Sequence, residues 1–300
     1  MKFSNITVGI QQKLIDVVGD NYCLTEKSSK EDYCHDETED LNFPPEVVVK
    51  PANTNEVSEI MKLASEYNIP VTPCGARTGL SGGALCVYGG IALSMERFNK
   101  VIKIDEDNLQ VITQSGVITQ ELQEAVLEKG LYYAPDPSSR GTCFIGGNIA
   151  ENSGGPRAVK YGVTKDFVLN LEVVLPNGEV IETGANTLKN STGYNLTQLM
   201  VGSEGTLGIV TQATLKLTPC PKHNMLMLVP FNSAEKACEA VASIFKAGIT
   251  PSAMEFMERD AIQWTIDFTK ESPIELKDNE QAHLLIEVDG NDTEVLFKEC

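Results

Sequence analysis

Three consecutive valines, Val47, Val48 and Val49, constrain the fold of this chain more than any other feature. A β-branched run with no polar alternate suits a strand covered on both faces, which requires structure above and below it. The next segment has helical spacing. Asn53 or Thr54 caps it, and Val57, Ile60, Met61 and Ala64 share one face. A second strand, Ile69 to Pro73, then runs straight into Cys74-Gly75-Ala76-Arg77-Thr78-Gly79-Leu80-Ser81-Gly82-Gly83. A βαβ unit is therefore joined to a loop with four glycines in nine residues.

Glycines let a backbone adopt φ > 0 and approach a ligand closely, so that successive N–H groups converge on an anion. Thr78 and Ser81 add hydroxyls, and Arg77 adds a cation. Taken alone, such a loop is also an ordinary tight turn. GxGxxG follows none of the strands and GxxxxGK[ST] is absent, which argues against a two-dinucleotide-domain reductase and an NTPase.

Net charge narrows the partners. With 42 acidic against 24 basic residues the chain carries −18, which repels phosphate backbones and anionic lipid. Nucleic acid and membrane surfaces are poor partners. Any phosphate-bearing ligand must be held by local donors, chiefly backbone amides at glycine-rich turns.

Two further turn-rich clusters stand out. Residues 135–162 are dense in glycine and polar side chains around the apolar anchors Phe144, Ile145 and Ile149, as in a wall that presents donors to a planar ring. GSEGTLGIV, residues 202–210, is a glycine turn entering a strand. Each alone is a turn; three such clusters, one directly after a βαβ unit, point to a shared extended ligand.

The rest of the chain sets the organisation. An amphipathic helix with Ile10, Leu14, Ile15, Val17 and Val18 on one face opens it, followed by an acidic loop, EDYCHDETEDL, which reads as solvated. A strand IALSM, a hairpin of VIKID and LQVITQSG, a helix over 119–129, and strands VLNLEVVLP, EVIETG and GIVTQATLKL come next, with Asn177-Gly178 as a hairpin turn. Pro219 and Pro221 mark a boundary. Beyond it a βαββα order breaks off before a last strand, as in an incomplete ferredoxin-like module. The expected fold class is α+β. The expected divisions are an N-terminal helical segment and acidic loop (1–44), a main domain (45–220) and the start of another (221–300).

Eight cysteines are scattered with no CxxC, which reads as reduced thiols with neither disulfide framework nor zinc ribbon, and no metal is expected. No signal peptide is evident and no stretch approaches about 18 apolar residues, so a cytoplasmic protein that does not span a membrane is expected.

The ordered set PEVVVKPANTNEV, IPVTPCGARTGLSGGA, PDPSS, IGGNIAENSGGPRAVKYGVTKDFVLNLEVVLPNGEV and GYNLTQLMVGSEGTLGIVT resembles the FAD-linked oxidases with a PCMH-type FAD-binding domain, in particular the glycolate oxidase and D-lactate dehydrogenase group. The likeness runs from about Pro45 to Pro219. It implies a domain of two α+β subdomains that holds FAD, followed by a partial ferredoxin-like cap domain. By the same likeness Pro73, Cys74, Gly75, Ala76, Arg77, Thr78, Gly79, Ser81 and Gly82 would hold the pyrophosphate. Pro137, Ser138, Gly146, Gly147, Asn148, Asn152, Ser153 and Gly154 would line the ribityl and isoalloxazine region, and Glu204, Gly205 and Ile209 would lie near the cofactor.

There are departures from the family pattern. Family loops often read Arg then Gly where this chain has Cys74 and Arg77. Thr78 stands where members with covalent FAD carry a histidine, so non-covalent FAD is expected.

The activity implied is oxidation of a small D-2-hydroxy acid, lactate or glycolate, with electrons passed to an acceptor protein or quinone. A non-catalytic FAD-binding subunit of a multi-subunit oxidase is the alternative, and an alkyl-glycerone-phosphate synthase type is a third. Such oxidation needs a base for the hydroxyl proton, most naturally a histidine. His35, His223 and His283 fall outside the three clusters and read as structural, so no catalytic residue is assigned. The family's histidine-rich motif lies towards a C-terminal region, and the chain reads as truncated before it. Arg157 and Lys160 are the local candidates for anion contacts, with a salt-bridged surface role as the alternative.

Overall fold

The computed structural model describes residues 3–270 and 274–300. Its backbone forms two compact units. The first takes residues up to Tyr133 with Pro137–Ser153 and Thr164–Pro219; the second takes Ala134–Asp136, Gly154–Val163 and Cys220–Cys300.

The first unit begins with helix α1 (Val8–Val18), strands β1 (Cys23–Leu24) and β2 (Val47–Val49), helix α2 (Thr54–Tyr67), and strands β3 (Val71–Cys74) and β4 (Ile91–Ser94). The strands form one sheet in the order β1-β2-β4-β3. β2, β4 and β3 run parallel, with Val47 and Val71 both opposite Ile91, and β1 is antiparallel at the edge. The βαβ strands read from sequence are thus present, with β4 inserted between them.

Val47 and Val49 pack with Leu14, Val57 and Ile60 on the α1/α2 side, while Val48 packs on the opposite face with Tyr33, Cys74, Cys86 and Ala92. Burial on both faces is what the run of valines demands, and each fully buried valine contributes roughly 1.5–3 kcal/mol.

α2 starts where its capping groups require. The Asn53 side chain accepts from the Glu56 N–H at 3.1 Å, and the Glu56 carboxylate accepts from the Ala52 N–H at 2.7 Å. Asn68, left-handed at φ 54°, ends the helix.

The chain continues through β5 (Val101–Asp105), β6 (Gln110–Gln114), α3 (Thr119–Leu127), β7 (Leu131–Tyr132) and α4 (Ile145–Glu151), then α5 (Ala158–Tyr161) in the second unit. β8 (Val168–Val174), β9 (Val180–Glu182), α6 (Leu196–Met200), β10 (Ile209–Lys216) and β11 (Thr218–Pro219) complete the first unit. An antiparallel sheet runs β5-β6-β10-β8-β9, and β7 pairs with β11. Gly178, at φ 83°, makes the β8–β9 hairpin turn.

The acidic segment after β1 differs from its reading as a solvated loop. His35 and Glu37 face water, yet Tyr33 and Asp36 are buried. Tyr33 joins the cluster over Val48, and the charges around it mask that burial in the sequence.

The second unit adds β12 (His223–Phe231), α7 (Ala234–Lys246), β13 (Ala253–Glu258), α8 (Arg259–Thr269), β14 (Ala282–Gly290) and α9 (Thr293–Glu299). Its sheet is antiparallel in the order β12-β14-β13, the arrangement of the first three strands of a ferredoxin-like module. Alternation along β12 turns Met227, Val229 and Phe231 towards Ala237, Ala240, Val241 and Ile244 of α7. Among the described residues no helix is long and apolar enough to cross a membrane.

Candidate cofactor site

Within the first unit the glycine loop after β3, the stretch from Ser139 through α4 to Ser153, and the turn after α6 converge on one cavity of about 1060 Å³, its open mouth included. The loop contributes Pro73, Cys74, Gly75, Ala76, Arg77, Thr78 and Gly79; the others contribute Gly146, Gly147, Asn148, Ser153, Glu204, Gly205 and Ile209. All are residues the sequence points to. Ser81, Gly82, Pro137, Ser138 and Asn152 fall outside the lining, and Gly154 belongs to the second unit. Asn152 has a local task instead: at φ 51° it ends α4 and accepts from the Lys165 N–H at 2.9 Å.

Close packing explains several of the glycines. A Cβ on Gly146 would stand 2.8 Å from Cβ of Ser115, and one on Gly205 (φ 72°) would stand 2.3 Å from Pro73 Cγ. Only glycine lets these segments meet. At Gly147 a Cβ meets nothing within 4 Å, so that edge of α4 opens on free space. Ile145 and Ile149 anchor α4 from behind. Asn148 lines the cavity, but its side-chain nitrogen donates to Thr119 Oγ1 at 2.5 Å.

The donor set fits a diphosphate. Among the described residues, no backbone N–H from Gly75 to Ala84 donates to another protein group. Seven of these ten, Gly75 to Gly79 with Gly83 and Ala84, belong to residues that line the cavity, whereas Leu80 and Ser81 are exposed to water. Arg77 sits among them at φ 60°, its guanidinium 4.3 Å over the Tyr33 ring, and forms no ion pair among the described residues. Tyr33 is fixed in turn, its hydroxyl donating to Glu96 at 2.7 Å, and Glu96 also pairs with Lys50 at 2.8 Å. The cation is thus held by stacking, and its charge is not cancelled.

Carboxylates mark another part of the wall. Glu151, Glu204 and Asp36 line it, and Ser81 Oγ lies 3.4 Å from Glu151. Burial, then the neighbouring Glu204, pushes the Glu151 carboxyl above its ordinary range; the Ser81 hydroxyl works the other way.

Sequence reading missed Asp36, Ser115, Ser139, Cys143, Glu151 and Met200. Ser115 follows β6 in a QSG turn whose only signal is its glycine, and Asp36 is one acid among many. Among the described residues no histidine lines the cavity. His35 is exposed, His223 opens β12, and His283 is buried on β14 with Nε2 3.5 Å from Glu280.

The sequence offers Arg157 and Lys160 two roles, anion contact or salt bridge, and both side chains form salt bridges within the second unit. Arg157 lies 3.0 Å from Glu287 and 3.5 Å from Asp136, and Lys160 lies 2.5 Å from Asp289. Tyr161 also donates to Asp289, at 2.7 Å.

Fold and donor set together define a flavin-binding α+β protein. The family model for the FAD binding domain matches residues 45–184, and that for the C-terminal domain of FAD linked oxidases matches residues 220–300. The chain belongs to the FAD-linked oxidases, and FAD is its cofactor.

It is 42% identical to the glycolate oxidase subunit GlcD of Bacillus subtilis over 95% of this chain and 60% of that protein. It is 44% identical to the D-lactate dehydrogenase of Anaerostipes hadrus over 89% of this chain and 57% of that one. The chain thus spans about 60% of the length of these relatives. A solved alkyldihydroxyacetonephosphate synthase superposes on all of this chain and 60% of its own with a TM-score of 0.84 at 21% identity, a likeness of fold.

Proposed function

We propose that the chain is the flavin-holding part of an FAD-dependent oxidoreductase that oxidises a small D-2-hydroxy acid, lactate or glycolate, to the 2-keto acid and hands the electrons to a protein or quinone acceptor. The observation that carries the cofactor assignment is the run of unclaimed amides from Gly75 to Ala84 around an uncancelled Arg77. The similarity to a glycolate oxidase subunit and a D-lactate dehydrogenase supports the substrate class.

When bound, FAD supplies a hydride acceptor at its N5 position. The protein's own residues bind and orient it. Amides of the 75–84 loop and the Arg77 guanidinium grip the diphosphate, and the open edge of α4 at Gly147 leaves room for the ring. No described histidine lines this cavity, and no base for the hydroxyl proton is assigned within it. D-Lactate or glycolate added anaerobically to the full-length holoprotein should bleach the visible flavin band. Absence of bleaching with every 2-hydroxy acid would leave the non-catalytic flavin subunit as the reading.

The flavin is held without a covalent bond. Cys74 and Cys143 are the thiols in the lining. Burial, then the nearby Cys86, pushes the Cys74 thiol up to about 12, which keeps it protonated and unreactive. Cys143 lies 3.3 Å from the Thr119 hydroxyl in a buried contact. Acid precipitation should leave a colourless pellet and a yellow supernatant; a yellow pellet would contradict this.

A further inference from the structure

Asp36 lies in the acidic segment outside the part matched as an FAD binding domain, yet it lines the cavity and is only 6% exposed. Its Oδ1 accepts the Thr38 N–H at 2.9 Å. Its Oδ2 is buried with no hydrogen-bond partner among the described residues. The neighbouring Glu37 N–H donates to Gly79 O at 3.1 Å, tying this segment to the glycine loop. A carboxylate oxygen shut away without a donor is costly, and native structures satisfy such an atom with ordered water or a ligand; this one lines the cavity of the cofactor site. A diphosphate has no proton to give. The hydroxyls that flank a dinucleotide's diphosphate do.

We infer that Asp36 reads a cofactor hydroxyl: its unpartnered oxygen accepts a hydrogen bond from a sugar-type O–H next to the diphosphate. The inference rests on the cavity being the FAD site. It makes the acidic segment part of the cofactor pocket, and it gives this wall a preference for free hydroxyls over phosphorylated ones, since a phosphate ester here would face the carboxylate. The hydroxyl belongs either to the adenosine ribose or to the ribityl chain, and fragments separate the two.

The discriminating variant is Asp36→Asn. An asparagine oxygen keeps the bond from Thr38 N–H and with it the local turn, while its amide nitrogen replaces the free acceptor by a donor. Titrating the flavin-stripped full chain with FAD, followed by flavin fluorescence, should show affinity reduced about 10- to 100-fold, the span of a charge-assisted hydrogen bond. The thermal midpoint of the stripped variant should match that of the stripped parent. A matching loss for ADP assigns the hydroxyl to the adenosine ribose, and a matching loss for FMN assigns it to the ribityl chain. Unchanged or tighter FAD binding by Asp36→Asn would overturn the inference and show a carboxylate that merely opposes the diphosphate.

Gly147→Leu, whose side chain would grow into the cavity, tests the underlying site separately. If it takes up FAD normally, the site assignment fails. If it excludes FAD while Asp36→Asn binds like the parent, only the role of Asp36 fails.

Discussion

At the scale of single residues, the cavity wall sets two kinds of carboxylate side by side. Asp36 is buried with one oxygen unpartnered among the described residues, whereas Glu151 is exposed. Although Glu151 is an exposed residue, the partial burial of its carboxyl, and then Glu204, hold it above its ordinary value of 4.5. A carboxyl raised in this way gives stability that is complete below the unfolded value and lost as pH rises through the folded one. At neutral pH the ionised group is therefore a liability to the fold and to a bound diphosphate. Glu151→Gln should tighten FAD binding a few-fold at pH 7 and flatten the decline of stability from about pH 4.5 upwards, as read by thermal unfolding across pH.

Two glycines of this wall answer to needs that select one residue type: Gly146 by its close approach to Ser115, and Gly205 by its φ of 72° and its approach to Pro73. Both lie in the turn-rich clusters of the sequence. Asp36 was not legible. In EDYCHDETEDL each acid has the same chemistry, and Asp36 is held inward by tertiary ties, the packing of Tyr33 with Val48 and the Glu37 N–H bond to Gly79 O.

At the scale of elements, strong local signals carried through and short pairings did not. The valine run, the Asn53 cap and the Asn177-Gly178 turn each fix a backbone state locally, so β2, α2 and the β8–β9 hairpin follow from them. β1, β7 and β11 are two residues each, set by partners far along the chain, and nothing near them announces a strand. The insertion of β4 between β2 and β3 is likewise a tertiary choice.

The cap of α2 gives the prediction at this scale. Asn53→Ala removes the acceptor of the Glu56 N–H and should lower stability by about 1 kcal/mol in denaturant melts. FAD affinity should not change, because neither Asn53 nor Glu56 lines the cavity. A larger effect on affinity than on stability would mean that the helix positions the site.

For the molecule as a whole, a net charge of −18 faces a dianionic ligand, and the long-range field works against binding. Side-chain cations do little to reverse it: Arg157 and Lys160 are paired with acids, and Arg77 alone adds its charge to the described cavity lining. What remains is the peptide dipoles of the loop after β3, whose N–H groups the chain leaves unmatched. Amide hydrogen exchange in the first unit, with and without FAD, tests this most directly. Amides from Gly75 to Gly79, with Gly83 and Ala84, should exchange freely in the flavin-stripped chain and slow strongly once FAD is bound. Tight FAD binding that leaves their exchange unchanged would contradict the account.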